Sequence, residues 1–313
     1  MNMMKKAAAA CLSAALLCLS GCSVSFRMQT TGIRYSHADS YTAGDREITE
    51  PIDALDIDWP SGAVTVSTGS SNSVTIKETT AADLKDELKV HSWTDGSVLR
   101  VRFCKSGVSY REKEAKTVEI TVPEGTVFET VRLDTASADA EFNGITAKKA
   151  DLDAASGKIG YTGSADTFNA DAASGNISFS GESGSIKANT SSGTVTLTQQ
   201  GAAADIHADT ASGKIVIEAE QADNISANSA SGDQTLRLKT VPKKMNLDTA
   251  SGDVTLYLPE DADFTADIDT ASGDVSYNLP LTKSGSDTYT GGSGTNQIDI
   301  DTASGDVQIL KYE

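Results

Sequence analysis

The chain has 313 residues, a formal charge of −18, 38% hydrophobic residues and only 5% aromatic residues. The acidity argues against nucleic acid as a partner and against simple attraction to anionic lipid headgroups. With so few aromatic side chains, a core has to be assembled from small and β-branched residues, which suits a thin, layered architecture.

The first residues, MNMMKKAAAACLSAALLCLSGC, place Lys5 and Lys6 before an apolar run from Ala7 to Leu19 and a small-residue site. This is the layout of a secretory signal peptide, with a run too short to span a bilayer. Leu19-Ser20-Gly21-Cys22 resembles the bacterial lipobox, which implies removal of residues 1–21 and a diacylglycerol thioether on Cys22. Loss of Lys5 and Lys6 makes the mature charge −20. The expected location is outside the cell, with the N-terminal lipid holding the chain to the outer face of the cytoplasmic membrane. No later segment approaches the roughly 18 consecutive apolar residues of a membrane-spanning helix. Cys11 and Cys18 leave with the signal and Cys22 carries lipid, so Cys104 is the one free thiol. One cysteine supports neither a disulfide framework nor a thiolate metal site. Its setting in VLRVRFCKSG reads as a buried strand end.

Residues 22–50 are polar and read as a tether. Residues 51–130 form an N-terminal β region that opens with a degenerate repeat carrying Leu55, Ile57, Trp59, Val64 and Val66. LKVHSWTDGSVLRVRF then reads as a hairpin on Asp95-Gly96. The 77–117 region is a candidate cap, and its Lys105, Arg111, Lys113 and Lys116 read as a solvated basic face.

From residue 131 to 313 one phrase dominates. Its turn serines are Ser137, Ser156, Ser174, Ser192, Ser212, Ser231, Ser251, Ser272 and Ser304, at steps of 19, 18, 18, 20, 19, 20, 21 and 32. A period near 20 is a solenoid signature. The long last step holds an insertion at about 280–297, rich in Gly, Ser and Thr. Each copy has two alternating runs: Met245, Leu247 and Thr249 precede one turn, and Val254, Leu256 and Leu258 follow it. Period two with one apolar face means strands. Gln234 stands where other copies place Ile or Val, so one rung is expected to pack imperfectly.

The turn itself pairs Ser156-Gly157, Ser174-Gly175, Ser192-Gly193, Ser212-Gly213, Ser231-Gly232, Ser251-Gly252, Ser272-Gly273 and Ser304-Gly305. A turn with a positive φ at its third residue would explain these glycines, with the preceding Asp or Asn bonding nearby N–H groups. The first copy has Ala138 in the glycine position, which predicts a different turn type there. Two all-β topologies fit. In a right-handed parallel β-helix of about 20 residues per coil, each coil stacks on the previous one. In an antiparallel meander or β-sandwich, each Ser-Gly would be a hairpin. The constant period favours the β-helix, because neighbouring coils then bury like residues in columns.

LDIDWPSGAVTV, the VPEG element, the tandem DTASGDV copies and the late GGSGT insertion resemble the bacterial putative-adhesin family of β-strand-repeat envelope proteins, a domain of unknown function. The resemblance covers roughly residues 52–313. It implies a β-helix-like fold and a Gram-positive envelope, and it supplies no catalytic residue.

Catalysis needs one unique constellation. A serine copied in every repeat is a turn residue, and His37, His91 and His207 lie in three separate regions. A polysaccharide lyase or hydrolase is the enzyme alternative, with only 77–117 and 280–297 available as cleft walls. No cofactor is expected. A weaker reading gives calcium to Asp248, Asp269 and Asp301, which stacking would bring together. The expected function is a non-enzymatic, lipid-anchored surface module, adhesin-like or scaffolding. A cell-wall polymer, a host surface and a neighbouring membrane protein are the open partners. The alternative is an accessory of an envelope-stress system bound to a membrane protein.

Overall fold

The computed structural model describes residues 32–110 and 115–312. The signal peptide, Cys22, Arg111 and Lys113 lie outside these residues. The described chain is all-β, with two three-residue 3-10 turns, Ala38–Ser40 and Asp86–Leu88. It divides into two compact units, one running to Ala170 and the other from Asp171.

In the later unit, alternating apolar residues form strands that pair in parallel with their counterparts in the neighbouring repeat. Ile177 lies opposite Val195, Val195 opposite Ile215, and Ile215 opposite Gln234. On the other side of the turn, Ile186 faces Ile206, Ile206 faces Ile225, and Ile225 faces Met245. These residues are almost fully buried, and apart from Gln234 each column places apolar on apolar. The runs before and after a Ser-Gly turn do not pair with each other. That excludes the antiparallel meander and leaves a solenoid-like stack.

The stack departs from chain order at its last repeats. Leu247 pairs with Ile300, and Ile300 pairs on its other side with Ile268. Val307 likewise lies between Val254 and Val275. The final repeat is therefore inserted between the Ser251 and Ser272 repeats, and the expectation that each coil stacks on its predecessor fails here. The insertion makes this route. Thr282–Ser284 and Thr288–Gly291 form a hairpin whose second strand runs antiparallel along Phe264–Thr270. The chain then turns back into the gap.

The earlier unit shows the same device. Ile57 lies between Val101 and Leu133, and Val64 lies between Val118 and Ala140. The degenerate repeat is thus a full member of the stack, entered before the strands that flank it on both sides. A boundary at 130/131 cuts through the strand Val127–Thr135. The Asp95-Gly96 hairpin forms as expected, with Gly96 at φ 62 and His91–Asp95 antiparallel to Val98–Arg102. Val74–Thr79 covers Thr117–Pro123 in the same way. Thr42–Ala43 and Arg46–Ile48 add to these two hairpin strands. The segment from Thr42 to Ile48 therefore belongs to the folded unit and is not tether.

Candidate functional site: the turn corner and its carboxylate column

The turn serines are exposed, and the glycines that follow them are buried except Gly273, in the Ser272 repeat. None of these glycines has a positive φ, so the left-handed turn expected from the sequence is not what selects them. A Cβ on Gly193 would overlap the carbonyl oxygen of Gly175, one on Gly213 that of Gly193, and one on Gly305 that of Gly252. Glycine is needed because successive corners stack backbone on backbone. Ala138 also lacks a positive φ, and the different turn type expected there is not found. Its N–H donates to Thr135 Oγ1 at 2.9 Å, the same bond that Gly193, Gly213, Gly232, Gly252, Gly273 and Gly305 make in their corners.

In seven of the nine corners a Thr or Ser hydroxyl three positions before the glycine, or before Ala138, organises the turn; Ala154 and Ala172 take that place in the other two. Thr210 Oγ1 receives the Gly213 N–H (2.9 Å) and donates to the Gly193 carbonyl of the neighbouring repeat (3.3 Å). Thr249 does the same between Gly252 and Gly232. Ser229, Thr270 and Thr302 each accept the matching glycine N–H. Thr210 and Thr249 thereby satisfy two backbone groups each that water cannot reach. The alternating pattern puts these threonines in the inward row but gives them no role there. Their recurrence as Thr or Ser at one offset was the available signal. The turn serines contribute more lightly, as Ser156 Oγ donates to the Ala136 carbonyl (3.1 Å) and Ser304 Oγ to that of Ala250 (3.4 Å).

Outside the corner runs a column of carboxylates and amides. Asn189 Nδ2 donates to Asp171 Oδ1 at 2.7 Å, and Asn228 Nδ2 to Asp209 Oδ1 at 2.7 Å. Burial works against the Asp209 carboxylate, but bonds from His207 and Asn228 outweigh it and hold the group below the usual range. The alternation ends at Asp248, Asp301 and Asp269, which are consecutive in register. Burial pushes Asp248 up to about 6, helped by the Asp301 charge and a hydrogen bond with Asp301. The three residues of the calcium reading are thus brought side by side. Among the described residues, however, no group of three or more His, Cys, Asp or Glu side chains has the geometry to hold a metal ion. Where an Asp follows the glycine, as at Asp233, Asp253 and Asp306, it instead bonds the backbone of the neighbouring corner. Asp253 Oδ1 accepts the Asp306 N–H, and Asp306 Oδ1 accepts the Asp274 N–H, both at 2.9 Å.

The other candidates are scattered. His91 is buried with Nδ1 2.9 Å from the Lys89 carbonyl, His37 packs on Trp93, and His207 Nε2 lies 2.7 Å from Asp209 Oδ2. Cys104 is buried, and burial pushes its thiol up to about 11. Lys116 corrects the solvated-face reading. Its ammonium is fully buried, pairs with Glu78 at 2.6 Å, bonds the Leu88 carbonyl (2.6 Å) and that of Phe103, and lies 5.1 Å from the Trp59 ring centre. The GGSGT insertion is tied to Asp263, which receives the Thr295 N–H together with the Ser293 and Thr295 hydroxyls, and these bring it down to about 2.

The Toastrack DUF4097 family model matches residues 52–310, most of the chain. The chain belongs to the Toastrack DUF4097 family. No curated protein sequence matches it. A solved structure of a putative adhesin from Parabacteroides distasonis is 13% identical, covers 87% of this Toastrack chain and 96% of its own, and superposes with a TM-score of 0.50. A putative adhesin from Parabacteroides merdae is also 13% identical, with 87% and 97% covered and a TM-score of 0.49. At this identity the first likeness speaks for the Toastrack fold alone.

Proposed function

We propose that this Toastrack protein is a non-enzymatic, adhesin-like module, lipid-anchored through Cys22 on the outer side of a bacterial membrane. One observation carries the reading. The repeated Ser, Gly and Thr residues, the most conspicuous candidates for chemistry, are bonded or packed between successive repeats, which leaves the outward sheet faces as the surface presented to a partner. The name of the Parabacteroides distasonis structure, a putative adhesin, supports a binding role. The stack is taken to be right-handed with about 20 residues per coil, in keeping with the handedness of parallel crossovers and with register offsets such as Val195 to Ile215.

A cell-wall polymer is the partner put forward. The mature chain would be sedimented with purified cell-wall sacculi, with and without teichoic acid. Saturable cosedimentation supports a wall-binding module. Its absence at every salt concentration moves the reading to a membrane-protein partner, to be sought by crosslinking on intact cells.

A further inference from the structure

A solenoid-like stack has to deal with the strand edges of its outer repeats. In the unit up to Ala170, antiparallel strands cover Val98–Arg102 and Thr117–Pro123. In the later unit, Thr288–Gly291 covers Phe264–Asp267. The partner strand of that same repeat, Val275–Tyr277, pairs with Val307–Lys311 on one side and, among the described residues, with no strand on the other.

The backbone bonds show which groups are left over. The Asp274 carbonyl accepts the Val307 N–H at 2.9 Å, and the Asn278 N–H donates to the Ile309 carbonyl at 3.1 Å. Successive residues of a strand bond on alternate sides, so the N–H and C=O of Val275 and Tyr277 point away from Val307–Lys311. The apolar columns also stop here. Val254, Val307 and Val275 form one, and Leu256, Ile309 and Tyr277 the other. Tyr277 is 40% exposed, one of two large hydrophobic residues exposed in the described chain. Its ring meets Tyr289 edge-on at 5.6 Å, and the Lys283 ammonium lies 5.0 Å from the Tyr289 ring centre.

Exposed Asp267, Asp269 and Asp274 belong to the same repeat. A second copy would bring the same carboxylates to this edge on a chain of charge −18. A strand of three residues also offers far less than the roughly 1,200 Å² that a stable dimer buries. We propose that the Val275–Tyr277 edge accepts an extended, basic segment of a partner polypeptide as an added strand. An apolar side chain of that segment packs beside Tyr277, and a lysine or arginine stands beside Asp274. The proposal concerns an edge, not the outward faces, and does not depend on binding to the wall.

The test uses the full mature chain in detergent and a labelled peptide of alternating lysine and valine, followed by fluorescence anisotropy. Saturable binding is expected, and none with the peptide of alternating glutamate and valine. Tyr277→Pro removes an N–H that makes no bond to Val307–Lys311 together with the ring against Tyr289. Tyr277→Ala, which loses the ring and keeps the N–H, is its control. Affinity of the proline variant falls at least about tenfold below that of the alanine variant at equal melting temperature. Asp274→Asn weakens binding about threefold by removing one charge, and it guards against an unfolded proline variant. No saturable binding, or binding unaltered by both Tyr277→Pro and Asp274→Asn, overturns the proposal. Concentration-dependent dimers abolished by Tyr277→Pro would overturn it in favour of a second copy.

Discussion

The Asp248 carboxyl is hydrogen-bonded to Asp301, a residue of the last repeat, and not to a residue of the repeat that follows it in the chain. Asn189 and Asn228 separate Asp171, Asp209 and Asp248 in the column, but no Asn stands between Asp248, Asp301 and Asp269, so carboxylates meet here. Folding raises the Asp248 pKa to about 6 from an ordinary 3.8. Its contribution to stability is therefore full below pH 3.8 and is lost as pH rises through 6. The melting temperature is expected to rise between pH 8 and pH 5. Asp248→Asn should raise stability at pH 8 by about 1 kcal/mol, after allowance for solvent screening, and flatten the pH dependence. Thermal melts across this range check both points.

Thr210→Val keeps the shape of the corner but removes the hydroxyl that links Gly213 to Gly193. A loss of about 2 kcal/mol is expected. Ser212→Ala, which removes only a 3.4 Å bond at an exposed position, should cost less than about 0.5 kcal/mol. Urea titration of the two variants would distinguish them. Equal losses would remove the threonine from its proposed place in the corner.

Gly213→Ala and Gly213→Asn should both destabilise by about 3 kcal/mol or more, because either Cβ overlaps the Gly193 carbonyl oxygen. A left-handed turn would instead tolerate Asn better than Ala. Comparing the two denaturation midpoints tests the stacking account directly.

Gln234 is fully buried between Ile215 and Val254; its Nε2 donates to the Asp248 carbonyl at 2.7 Å, while its Oε1 has no hydrogen-bond partner. Gln234→Leu removes that unmatched oxygen and continues the apolar column. Stability should increase by about 1 kcal/mol, read from the shift in chemical denaturation.

Lys116→Met leaves Glu78 buried without its cation and should cost about 3 kcal/mol. Adding Glu78→Gln is expected to restore much of the loss. A double-mutant cycle from the four midpoints measures the coupling, and strict additivity would show that the pair carries none.

Much of the fold was legible because stacking repeats an environment. A position such as Ile206, Ile225 or Met245 meets the same neighbours in every repeat, so period-two alternation and a period near 20 specify which residues point inward. The corner was legible as a place but not as a mechanism. Glycine at a turn suggests a positive φ, and only the approach of the neighbouring backbone reveals a different need. Lys116 was read as exposed because its sequence neighbours are charged. The groups that accept its ammonium, Glu78, Leu88 and Phe103, are remote in the chain.

The parallel columns follow from the amino-acid pattern alone, since like residues at a constant spacing bury most apolar surface when stacked in register. The order of the repeats does not. Three near-identical copies, at Ser251, Ser272 and Ser304, offer each other almost equivalent ladders, and local pattern does not choose among them. Long-range contact makes that choice. The hairpin from Thr282 to Gly291 occupies the outer edge of Phe264–Thr270 and leaves the last repeat the gap beside Lys244–Thr249.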